Sequence, residues 1–161
     1  MSKVLKAIGV YEVVGGLFGL IYALVISPLL DAPESVASLS FLAVVSTASL
    51  VAGVLLLRSK RAGLLLSRAV QIVQIPVVSV VPVVYYIGLG VFLSVGSAVT
   101  HSDSGGFDFS ILFEWTIGAN YMTALASQLP EQFLAVNAFA TAMLVILLRH
   151  TKEPSGAANL A

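Results

Sequence analysis

The sequence predicts an all-α integral membrane protein, an antiparallel four-transmembrane-helix bundle, and three observations carry that prediction. Hydrophobic residues make up 58% of the chain and charged residues only 10%, where an ordinary soluble domain carries about 25% charged residues. The apolar residues fall into long runs parted by short segments bearing prolines or charges, as helices do when their backbones must satisfy themselves in lipid. With both termini cytoplasmic, such a bundle brings Lys3, Lys6, Arg58, Lys60, Arg61, Arg68, Arg149 and Lys152 to one side, as the positive-inside rule requires. A formal net charge of zero implies no nucleic-acid partner, and the absence of cysteine excludes disulfides and thiolate chemistry.

The first helix is expected over about residues 5–28. Behind Lys3 and Lys6 the chain runs apolar to Ser27, interrupted only by Glu12, which is longer than the roughly 7–15 apolar residues of a cleaved signal peptide. Gly15 and Gly19 form a GxxxG pair that lets another helix approach closely. Pro28, Asp31, Pro33 and Glu34 then mark a turn in water. A second, uncharged helix follows over 36–57, with Gly53 on its small-residue face.

After the basic knot Arg58–Arg61 a third helix is expected over 64–98. Counted from Leu64 to Val99 it would be roughly 54 Å long as a straight rod, against a hydrocarbon core of about 30 Å. Kinks at Pro76 and Pro82 are therefore expected. Ser67, Arg68, Gln71, Gln74 and Ser79 fall within an arc of roughly 140°, a polar stripe that must not face lipid. Glu12 and Arg68 each lie roughly 9–10 Å beyond the basic boundary, so they are expected to pair, with Gln71 and Gln74 completing an intramembrane cluster.

Residues 100–129 form the outer segment. Phe107, Phe109, Ile111, Phe113 and Trp115 alternate with Asp108, Ser110, Leu112 and Glu114, the period of a strand with one apolar face, broken only by Leu112. A bend near Gly118 would return Thr116–Thr123 as its hairpin partner on the outer end of the bundle; an interfacial helix is the rival reading. The fourth helix is expected over 130–149, opened by Pro130 and Glu131, with Asn137 as an interhelical hydrogen-bond partner. Residues 152–161 read as a mobile tail on a single domain.

No activated nucleophile and no metal-ligand spacing is visible; His101 with Asp103 and Asp108 lacks a second ligand pair. No catalytic residue, metal or cofactor is therefore expected. The expected role is a non-enzymatic accessory or assembly subunit of the inner membrane, acting through its packing faces and its acidic, aromatic outer segment on a membrane-protein partner or a second copy. The alternative is a homo-oligomeric small-solute or ion transporter or channel using Glu12, Arg68, Gln71 and Gln74.

Overall fold

A computed structural model describes residues 2–29, 36–80, 83–101, 107–125 and 131–150. Two helices are long and apolar enough to cross a membrane, α1 (Lys3–Leu29) and α2 (Val36–Leu57). Ser2 caps α1 by accepting from the Leu5 N–H. Near its end, over Tyr22–Ile26, α1 loosens into a π turn. Pro28 explains it: a proline offers no N–H and its ring crowds the carbonyl four residues back, so the preceding turn widens. The two helices pack through backbone contact, because a Cβ added at Gly16 would lie 2.6 Å from the Ser46 carbonyl oxygen and one at Gly53 would lie 2.5 Å from that of Gly9.

The rest overturns the four-helix bundle. Among the described residues two further helices occur, α3 (Arg61–Gln74) and α4 (Ala138–Arg149), both short, together with a four-stranded antiparallel sheet: β1 (Pro76–Val80), β2 (Val83–His101), β3 (Phe107–Leu125) and β4 (Glu131–Asn137). The helix expected over 64–98 stops at Gln74, because Pro76 cannot continue it and the valines that follow are β-branched and prefer the pleat. The helix expected over 130–149 begins only at Ala138, capped by the Asn137 side chain, which accepts from the Ala140 N–H at 3.2 Å. Pro82 and the tail lie outside the described residues.

The sheet has an unusual path. β1 runs antiparallel both to β4 and to the start of β2, while the end of β2 runs antiparallel to β4 (Ser94 opposite Asn137, Thr100 opposite Glu131). The two halves of β2 therefore run in opposite senses. β3 follows β2 throughout, from Val83 opposite Leu125 to His101 opposite Phe107. The pair is thus a long ribbon folded double, with β1 and β4 held between its arms. The fold falls where Gly90 faces Gly118, both at positive φ (89° and 128°), a conformation that glycine adopts without a side-chain clash. So the bend expected near Gly118 is present, but it folds the ribbon; the partner of Phe107–Trp115 is the second half of β2, not Thr116–Thr123.

Three packed clusters place these elements. Leu5, Ile8, Leu56, Met143 and Leu147 join the start of α1 to the ends of α2 and α4, which brings the basic residues flanking them, Lys3, Lys6, Arg58 and Arg149, to one end of the molecule. Ala23, Leu42, Val45, Ile87 and Leu89 lay the ribbon against the far halves of α1 and α2. Phe92, Val77 and Ala135 form the core between the ribbon's arms. Phe41 of α2 meets the ring of Tyr85, whose strand partner is Val78, so β1 leads away from the basic end. At about 1.5 Å per helical and 3.3 Å per strand residue, α3 with β1 and β4 with α4 each reach roughly 40 Å, the length of α1.

Candidate functional site

The polar residues singled out in the sequence converge behind α1, although not as the expected ion pair. Glu12 is 1% exposed. Its Oε2 accepts from the Ser67 hydroxyl at 2.6 Å and its Oε1 from Gln71 Nε2 at 3.1 Å. The Ser49 hydroxyl donates to the Glu12 carbonyl at 3.0 Å, so this one residue ties α1 to both α2 and α3. Ser67, Gln71 and Gln74 sit on successive turns of α3 and all are buried, because residues four and three apart share a helix face.

Arg68 turns elsewhere. One residue along a helix is about 100° around it, so when Ser67 faces Glu12 the next side chain faces α4. There Arg68 Nη2 donates to the Leu147 carbonyl at 2.8 Å, in the last turn of α4 where carbonyls lack helical partners and a cation is favoured. The expected Glu12–Arg68 pair is thus replaced by two separate contacts. Direction around the helix decides the partners.

Gln74 and Tyr11 extend the site into the sheet. Gln74 Oε1 accepts from the Leu89 N–H at 3.0 Å. The Tyr11 hydroxyl donates to the Leu89 carbonyl at 2.6 Å and accepts from the Val91 N–H at 3.0 Å, while its ring lies 5.1 Å from that of Phe139. These bonds satisfy backbone groups on the edge of β2 that lies between its pairings with β1, which stop at Tyr85, and with β4, which start at Ser94. Tyr11 went unread in the sequence; its signal was a phenol in an apolar run, a side chain that takes a hydrogen-bond partner when buried. Tyr85 plays a similar part, donating to the Val73 carbonyl at 2.5 Å.

Of the other residues singled out, Gly15 and Gly19 face a strand and not a helix alone: a Cβ at Gly15 would lie 3.1 Å from the Leu89 backbone, and one at Gly19 would meet Leu89 and the Ser46 hydroxyl. Gly53 packs on α1 as a small residue should, with Gly9 as its counterpart. Asn137 joins β4, β2 and α3, since its N–H donates to the Ile75 carbonyl at 2.8 Å and its Oδ1 also accepts from the Leu93 N–H at 3.4 Å. Phe107, Phe109, Ile111, Phe113, Trp115 and Ile117 point away from the molecule along one face of β3, each between 65% and 86% exposed. Among the described residues no group of three His, Asp or Glu side chains is placed to hold a metal.

Chemically, the Glu12 site is a buried acceptor whose two oxygens each have a donor. Its measurable property is cohesion. Glu12→Leu is expected to orphan the Ser67 and Gln71 donors and to cost about 1–3 kcal/mol for each, read as a lower thermal transition in mild detergent. In double-mutant cycles Glu12→Leu should couple to Ser67→Ala by about 0.5–3 kcal/mol and be additive with Arg68→Met. The reverse pattern would restore the ion pair. Comparison with family models, with curated proteins and with solved structures returns no match.

Proposed function

We propose that this chain is a non-enzymatic, multi-pass assembly subunit of the inner membrane, with Lys3, Arg58, Lys60, Arg61 and Arg149 on the cytoplasmic side, which offers the outer edge of β3 to a membrane-protein partner. The observation that carries the proposal is where that edge lies. Gly118 and Ala119 of β3 lie beside the middle and the far half of α1, since Gly118 pairs with Gly90, which neighbours Gly15, and Ala119 packs on the cluster containing Ala23 and Leu42. Gly15 and Ala23 of α1 are roughly 18 and 30 Å from Lys3 along the helix, so with α1 across the bilayer this part of the ribbon lies within the outer part of a hydrocarbon core about 30 Å thick.

An open strand edge in hydrocarbon leaves N–H and C=O groups without partners, at several kcal/mol each. Among the described residues β3 pairs with β2 alone, and it carries six apolar side chains in a row on its outward face. A strand from another membrane protein added at β3 would satisfy the backbone and cover the aromatic face together. The buried Glu12 site favours this role over transport, because its acceptor oxygens are already occupied by Ser67 and Gln71.

The test is purification of the full chain in mild detergent with measurement of the mass and composition of the species obtained. A defined second protein is expected in stoichiometric amount, and the double change Phe109→Asp with Phe113→Asp is expected to release it by tenfold or more. Both side chains are exposed, so the thermal transition of the subunit itself should stay put. A self-associated species broken by the same variant would make the occupant a second copy, and a monomer unaffected by it would sink the proposal.

A further inference from the structure

We infer that the basic end of the molecule holds a binding site for the phosphate headgroup of an acidic phospholipid, an inference that rests on the membrane reading above. A cavity of about 280 Å³ opens there between the start of α1, the end of α2 and the start of α3. Its wall is divided by chemistry. Leu5, Leu56 and Leu64 form an apolar side, and Ser59, Lys60 and Arg61 form a polar, cationic side. The volume is near the lower limit of small-molecule sites, about 300 Å³, and suits a headgroup with the first carbons of its chains. An amphipathic lining at the level where basic residues meet the membrane surface is the arrangement that recognises anionic lipid.

The cations are held there by the backbone. α2 ends in a Schellman turn: the Lys60 N–H donates to the Leu55 carbonyl at 2.9 Å and the Ser59 N–H to the Leu56 carbonyl at 2.8 Å, with Ser59 at a φ of 57°. Gly63 keeps the turn tight, since a Cβ there would lie 2.5 Å from the Leu56 nitrogen. Lys60 and Arg61 are thereby fixed at the mouth of the cavity while their side chains stay exposed. The Lys60 side chain makes no capping bond at the start of α3, so the positive end of that helix faces the same mouth. Lys3, Lys6, Arg58 and Arg149 lie at the same end of the molecule, whereas the exposed carboxylates Asp108 and Glu114 belong to β3. A phosphodiester monoanion would meet the guanidinium and ammonium groups on one side and leave its acyl chains on the leucines.

Native mass spectrometry of the full chain in detergent tests the site, with phosphatidylglycerol and phosphatidylcholine of matched chains as probes and inorganic phosphate as competitor. One phosphatidylglycerol per chain is expected, with phosphatidylcholine at least tenfold weaker. The double change Lys60→Gln with Arg61→Gln should weaken the phosphatidylglycerol adduct tenfold or more. Lys6→Gln with Arg149→Gln removes the same charge at the same end but outside the cavity, and should change it less than twofold. Equal loss in the two double variants, or equal retention of the two lipids, would overturn the site. Displacement by millimolar phosphate would keep the anion site and make free phosphate its ligand; retention against phosphate assigns the lipid. A chain that purifies without detergent would overturn the membrane reading itself, a different result from a detergent-requiring chain that holds both lipids alike.

Discussion

Phe92→Ala is expected to cost about 3–5 kcal/mol, the usual range for emptying a buried phenylalanine site, and to lower the thermal transition in detergent accordingly. The ring is 1% exposed and stands between the arms of the folded ribbon. Val77 from β1 and Ala135 from β4 share its cluster, and Tyr86 of β2, Leu112 of β3 and Phe133 of β4 pack against it, so a single truncation removes contacts from all four strands. Such a site cannot collapse when its walls are hydrogen-bonded strands fixed in register. Phe109→Ala, on the outward face of β3, supplies the comparison and should stay within about 0.5 kcal/mol. Equal responses from the two would mean that the ribbon does not close around Phe92.

Gly90→Val is expected to be nearly as damaging, for two separable reasons. A β-branched residue held at a φ of 89° costs about 1–3 kcal/mol. The new Cβ would in addition lie 2.7 Å from Tyr11 Cε2 and 3.0 Å from its hydroxyl oxygen, adding an overpacking cost of about 1–3 kcal/mol and breaking the bonds to Leu89 and Val91. Gly118→Val isolates the first effect, because its φ is 128° but no atom lies within 4 Å of an added Cβ. Measured side by side by thermal unfolding, the Gly90 variant should fall further. Losses of equal size would show that Tyr11 does not brace the bend.

The parts legible in the sequence were those where polarity alone carries the information. The uncharged run 36–57 is helical throughout as α2, and Lys3, Lys6, Arg58 and Arg149 do lie at one end. The alternation from Phe107 to Trp115 is a strand, as its period of two implied. The run after Gln74 was misread because hydropathy does not distinguish a buried strand from a buried helix; Val77, Val78, Val80, Val83 and Val84 are as apolar as leucines and differ only in a branched Cβ that favours the extended chain. The Glu12–Arg68 pair failed for a related reason. Counting residues gives depth along a helix, but which of Ser67 and Arg68 meets Glu12 depends on the rotation of α3, and that is set by packing among elements distant in the chain.

The doubled ribbon also constrains the order in which the chain matures. β1 can pair with the first half of β2 as soon as both are made, but its other neighbour, β4, follows more than fifty positions later and must also zip against the second half of β2. Contacts of such long sequence separation form slowly, and until they do the backbones awaiting β4 stay open to other chains. Residues 131–137 are therefore the keystone of biogenesis as well as of architecture, and a ribosome that releases the chain before them leaves an unzipped sheet beside two helices already formed.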